Sequence, residues 1–103
     1  MSAPTRIRAT LRDGVTELRM LMSHPMENGL RKDAEGKLIP AHFITEVGVQ
    51  RNGEIVLEAD FGPSVSTNPY LAFSIAGGAP GDEIVVSWRD NLGGTRSDTI
   101  RVT

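Results

Sequence analysis

Residues Phe43 to Asp60 read FITEVGVQRNGEIVLEAD, and this stretch decides the fold class. Phe43, Thr45, Val47 and Val49 share one phase of a period-two pattern, as in a strand with one face buried and one face wet. Asn52-Gly53 follows, the dipeptide that supplies positive φ at both central positions of a type I′ turn. Beyond it Ile55, Leu57 and Ala59 alternate with Glu54, Glu58 and Asp60, with Val56 an apolar residue on the wetter side. The segment therefore reads as a hairpin of two antiparallel strands.

The same period extends toward both ends. Ile7, Ala9 and Leu11 alternate with Arg6, Arg8, Thr10 and Arg12, and after Asp13-Gly14 a second strand runs from about Val15 to Met22. Its inward phase is Thr16, Leu18, Met20 and Met22, with Glu17 and Arg19 on the other side. Leu71, Phe73 and Ile75 mark a fifth strand, Ile84, Val86 and Trp88 a sixth, and Ile100 with Val102 a seventh after the turn around Asn91 to Gly94. The expected core is Ile7, Leu18, Met20, Phe43, Val47, Leu57, Phe73, Val86 and Trp88. Seven short antiparallel strands in 103 residues point to an all-β, immunoglobulin-like sandwich forming a single domain, residues 1 to 103. An antibody-type signature is absent, since Trp88 lies on the sixth strand and no cysteine pair exists.

Composition narrows the possibilities further. Eleven Gly and six Pro leave eleven residues, Asp82 to Leu92, as the longest stretch free of both, which excludes helix bundles and coiled coils. The longest apolar run is the four residues Tyr70 to Phe73, far short of the roughly 20 of a membrane-spanning helix, so no membrane partner is expected. Eleven Lys and Arg against thirteen Asp and Glu give a net charge of −2, which makes nucleic acid an unsuitable partner. The absence of cysteine removes disulfides, thiolate ligands and thiol nucleophiles. The N-terminus MSAPTRIRAT lacks the basic-then-apolar pattern of a signal peptide, so the chain is not expected to direct its own export.

Catalytic and metal chemistry find little support. His24 and His42 are the only histidines, eighteen residues apart, with no cysteine and no H-E-x-x-H spacing to recruit a third ligand. His24 is expected to be a loop residue hydrogen-bonded to backbone, and His42 to point outward from the third strand. No serine lies in a G-x-S-x-G elbow. Gly77-Gly78 and Gly93-Gly94 fall between strands, where hairpin turns account for them and no helix N-terminus is available to cradle phosphate. Met20, Met22 and Met26 could be read as a soft copper-ligand set, but alternation buries the first two and core packing explains them. No cofactor, no metal and no enzymatic activity are expected.

Ser23 to Pro40 spans eighteen residues between the second and third strands, longer than the roughly 12 to 15 usual for a loop without structure. Asp33-Ala34-Glu35-Gly36 reads as a turn, so Leu30 to Lys32 and Lys37 to Ile39 form a small extra hairpin. A second irregular stretch, Gly62 to Asn68, precedes Pro69. Length beyond what a sandwich needs suggests use, and Met26, Leu30 and Tyr70 are the candidate apolar anchors of a partner interface. The competing roles are that Met26 pins the segment onto the sandwich and that Tyr70 packs beneath the loop with its hydroxyl bonded to backbone.

Three blocks of the chain resemble a known family. Ser23 to Asp33, SHPMENGLRKD, followed by GKLIPAHFI at Gly36 to Ile44, is similar to the signature segment of the SoxZ family of bacterial sulfur-oxidation (Sox) systems. Asn68 to Phe73, NPYLAF, and Ser87 to Asn91, SWRDN, resemble two further blocks, in the family's order and over nearly the whole chain. The resemblance implies a heterodimer with SoxY, whose cysteine, near a glycine-rich C-terminus, carries the sulfur substrate covalently. This chain would be the non-catalytic half of that SoxYZ carrier complex during thiosulfate or sulfur oxidation, docking transiently to the Sox enzymes SoxXA, SoxB and SoxCD. It would act in the periplasm, exported together with its signal-bearing partner. The tail SDTIRVT, with neither cysteine nor a glycine-rich arm, agrees with the non-carrier role. The alternative is a free-standing immunoglobulin-like adhesion or ligand-binding module that grips a target with its long loop; a neighbouring reading frame encoding an exported protein with a Gly-rich, Cys-containing arm would separate the two.

Overall fold

A computed structural model describes residues 3 to 103. Seven strands form, with no helix among the described residues: β1 (Arg6–Arg12), β2 (Val15–Leu21), β3 (Ile44–Arg51), β4 (Glu54–Asp60), β5 (Tyr70–Ala76), β6 (Glu83–Asp90) and β7 (Thr95–Arg101). They divide into a three-stranded sheet of order β1-β2-β5 and a four-stranded sheet of order β4-β3-β6-β7, every pairing antiparallel. The sandwich closes along β1 and β7, where Leu11 N–H donates to the Thr103 carbonyl and Thr103 N–H to that of Ala9.

The turn dipeptides act as their chemistry requires. Asn52 and Gly53 both have positive φ (51° and 84°), as do Asp13 and Gly14 (52° and 74°), the pattern of a type I′ turn joining twisted strands. Between the sheets lie Ala9, Leu18, Met20 and Met22 from one side and Ile44, Val47, Val49, Ile84, Val86 and Trp88 from the other, with Met26 and Val102 at the rims. Of the expected core, Leu18, Met20, Val47, Val86 and Trp88 are fully buried, whereas Ile7, Phe43, Leu57 and Phe73 are half-buried against that cluster.

Two β-bulges correct the strand phases. The register of β3 shifts between Ile44 and Glu46 against β6, so Ile44, not Thr45, is fully buried above Val47. A second shift at Val49/Gln50 against β4 pairs Val49 with Leu57 but Gln50 with Ile55. Ile55 therefore faces solvent at 61 % exposure, and Val56 is half-buried. Gly77-Gly78 likewise is not a hairpin: it carries the chain from β5 in one sheet to β6 in the other, held by Gly77 N–H on the Gly14 carbonyl and by the Thr16 hydroxyl on the Gly77 carbonyl. Gly93-Gly94 does turn a hairpin, between the paired β6 and β7.

Candidate functional site

The long segment between β2 and β3 is ordered by hydrogen bonds at both ends. Its outer part is the expected small hairpin: Asp33 N–H donates to Lys37 O, Ile39 N–H to Arg31 O, and Gly36 takes the positive φ (81°) the turn demands. The Asp33 carboxylate accepts the amides of Glu35 and Lys37, fixing the tip. At its base Glu27 and His42 exchange two backbone hydrogen bonds of 2.7 and 2.8 Å.

Beneath this base the polar residues of all three family-like blocks converge. His24 N–H donates to Asn68 Oδ1 and Asn68 N–H returns to the His24 carbonyl, which ties the Gly62 to Asn68 stretch to the long segment. Asn91 donates through Nδ2 to the Ala41 carbonyl and accepts from Phe43 N–H. At the centre stands Asp90, the last residue of β6. Its Oδ2 meets His24 Nε2 at 3.0 Å and His42 Nε2 at 2.8 Å, while Oδ1 accepts the amides of Leu92 and Gly94 at 3.0 and 2.7 Å. Burial pushes the Asp90 carboxyl up, but hydrogen bonds from the two imidazoles and the two amides outweigh it and hold the pKa at about 2. Asp90 is thus a carboxylate that accepts from four donors.

The tautomer of His24 follows from its other nitrogen. Met26 N–H donates to His24 Nδ1 at 3.2 Å, so the neutral ring carries its proton on Nε2 and donates it to Asp90. His24 also packs edge-on against His42 (centroids 4.5 Å apart) and perpendicular to Trp88 (5.1 Å). The ligating atoms of His24, His42 and Asp90 lie within 4.8 Å of one another, close enough to meet on a cation. The donor chemistry weighs against that use. A metal on His24 Nε2 would force the ring proton onto Nδ1, directly against the Met26 amide hydrogen, whereas histidine ligands donate their second nitrogen to an acceptor. The cluster reads as a hydrogen-bonded node that clamps the long segment to the β6–β7 turn.

Sequence reasoning missed this node. His24 is indeed bonded to backbone, but it is buried at 4 % exposure and its ring also reaches Asp90; His42 lies just before β3 and, although part-exposed, turns its Nε2 to the same carboxylate. The candidate anchors fall in three different places. Met26 is buried, its Sδ accepting from Ile44 N–H at 3.3 Å, so it pins the segment from within and does not present itself to a partner. Leu30 stands 79 % exposed on the outer hairpin. Tyr70, 60 % exposed, is the first residue of β5 and not beneath the loop.

Gly94 is fixed by the node's geometry. A Cβ there would sit 2.6 Å from Asp90 Oδ2 and 3.0 Å from its carboxyl carbon, in the space that the carboxylate fills. Gly94→Ala is expected to lower stability by about 1 to 3 kcal/mol in chemical denaturation, the usual cost of overpacking. Gly93→Asn, at positive φ with open space around it, is expected to cost far less. Equal melts for the two would show that the Asp90 contacts are not made as described.

A family model described as "Sulphur oxidation protein SoxZ" matches residues 5–101, nearly the whole chain and all the residues of the node. The chain belongs to the SoxZ family. No curated protein matches it closely enough to be counted a relative. As a SoxZ-family member it is a subunit of a sulfur-oxidation (Sox) system.

Proposed function

We propose that this chain is the non-carrier, non-catalytic subunit of a SoxYZ complex, pairing with a SoxY chain whose cysteine holds the sulfur substrate during thiosulfate or sulfur oxidation. The observation that carries the reading is the match across residues 5–101 to a sulfur-oxidation family in a chain without a single cysteine. A SoxZ-type subunit with no thiol has no group on which to carry a sulfane or sulfonate, so the covalent chemistry must lie on a partner. What this chain offers is a rigid two-sheet body and an ordered arm. The pair would work in the periplasm, with export directed by the partner's signal.

The experiment is co-expression with the SoxY of the same gene cluster, followed by size-exclusion chromatography and intact-mass measurement after incubation with thiosulfate or sulfite. A 1:1 heterodimer is expected, with every mass adduct on the SoxY chain and none on this one. A stoichiometric adduct on the isolated chain, or two proteins eluting separately at micromolar concentration, would overturn the assignment.

A further inference from the structure

The outer face of the three-stranded sheet carries an arrangement of charge that folding does not ask for. Antiparallel register sets its outward rows as Arg6–Leu21–Tyr70, Arg8–Arg19–Ala72, Thr10–Glu17–Ser74 and Arg12–Val15–Ala76. Four arginines therefore face solvent together against one glutamate, in a chain whose net charge is −2. Arg8 and Arg19 are direct cross-strand partners, a like-charge pairing that destabilises a sheet. Among the described residues, none of these four guanidinium groups makes an ion pair or a side-chain hydrogen bond.

The contrast with the rest of the molecule is sharp. Arg31 pairs with Glu27, Lys37 with Glu35, Arg89 with Glu46, Arg96 with Asp98 and Arg101 with Glu83, while Arg51 donates to the Ala76 carbonyl. Lys32 on the long segment apart, the cations without a partner among the described residues are thus concentrated on one face. Arg6, Arg8, Arg19, Leu21 and Tyr70 also surround a shallow depression of about 250 Å³, with Leu21 and Tyr70 exposed at 37 % and 60 %. Arginine and tyrosine around a small apolar patch are the side chains enriched at the centres of protein interfaces.

We infer that this face of β1, β2 and β5 docks an acidic protein surface that associates with the complex and leaves again. A small oxyanion does not account for it. Arg6 and Arg12 are six residues apart on one strand, about 20 Å, several times the span of such an ion. Among the described residues, no buried acceptor holds any of these guanidinium groups in a cradle. A permanent partner would cover apolar surface, whereas an exposed cationic face accelerates and orients encounter with a negative one, an effect that salt suppresses. The inference rests on the chain working as one component of a sulfur-oxidation system; it does not require that the permanent partner be SoxY.

The test uses Arg8→Glu/Arg19→Glu and the charge-preserving Arg8→Lys/Arg19→Lys. Each is measured alone and as the SoxY complex, by surface binding kinetics, against each remaining purified Sox protein of the same gene cluster. For at least one of these, the association rate at about 20 mM salt should fall by about tenfold or more in the glutamate variant and stay within about threefold in the lysine variant, with the difference shrinking at about 300 mM. Carbodiimide should then couple the introduced lysines to carboxylates of that protein. Unchanged rates for every component would overturn the inference. So would loss of SoxY pairing itself in a glutamate variant that still folds, which would make the face a permanent interface. Saturable binding of thiosulfate or of phosphatidylglycerol vesicles, abolished by the same variant while protein docking is untouched, would transfer the face to a small anion or a lipid. Should the wild-type chain fail to pair with SoxY, the measurements on the chain alone still decide the docking question while the pairing assignment falls.

Discussion

Asp90→Ala is expected to destabilise the domain by about 3 to 5 kcal/mol at neutral pH, read as a lowered denaturation midpoint with an unchanged slope. One carboxylate answers four donors, and its side chain is 3 % exposed. Removing it orphans the buried His24 Nε2–H and the Leu92 and Gly94 amides, each worth about 1 to 3 kcal/mol when left unsatisfied. His42, with a side chain 36 % exposed, turns to water and contributes less. The contributions are not additive, since the four bonds share one acceptor. Against a total stability of about 5 to 15 kcal/mol the loss is severe, and a variant melting like the parent would show that the node does not hold the segment.

The same carboxylate sets an acid limb. Its folded pKa of about 2 lies below the ordinary 3.8, so its stabilising contribution is complete above the ordinary value and is lost as pH falls from about 4 toward 2. The shift corresponds to about 2 kcal/mol. Asp90→Asn cannot titrate, and its stability should decline less over that interval than the parent's. A parallel decline in the two proteins would assign the acid limb to other carboxylates.

The turn dipeptides and the alternation of apolar side chains made the strands readable, because both are local. Asp13-Gly14 even fixes the pairing of the first two strands: a two-residue turn at that position makes Arg8 the partner of Arg19. The arginine face was therefore latent in the sequence, although alternation alone marks those residues only as the wet phase. Bulges were not legible. They insert one residue into a ladder whose period is two, and nothing in GVQRNGEIV announces that Val56 absorbs the shift and leaves Ile55 outside.

The node was hidden for a different reason. His24, His42 and Asp90 come from a loop, a strand approach and a strand end, and their meeting depends on the packing of two sheets. One signal could have exposed it. The three family-like blocks are rich in polar residues, His24, His42, Asn68, Asp90 and Asn91, at places where strand alternation and turn chemistry have no need of them. The structure brings each into contact with another block. The blocks therefore mark one clamp, which holds Met26 in the core and carries the Leu30 hairpin outward.

Trp88 is where that clamp meets the core, and Trp88→Ala is expected to cost about 3 to 5 kcal/mol, the range of large-to-small changes at buried aromatic sites. The side chain is 5 % exposed, sits between Val86 and Asp90 on the inward phase of β6, and stands perpendicular to the His24 ring. Its removal would open a cavity under His24, so the histidine loses the surface against which it is held for Asp90. The indole nitrogen is buried without a hydrogen-bond partner among the described residues, so Trp88 contributes through packing and ring contact, and not through its N–H. Trp88→Phe should therefore cost clearly less than the alanine change, because a smaller ring leaves a smaller void and no partner is orphaned. The alanine variant should also become coupled to the node: in a double-mutant cycle with Asp90→Ala the two losses should fall short of additivity by more than about 0.5 kcal/mol. Additive losses would mean that Trp88 packs independently of the clamp, and a parental melt for Trp88→Ala would contradict its burial altogether.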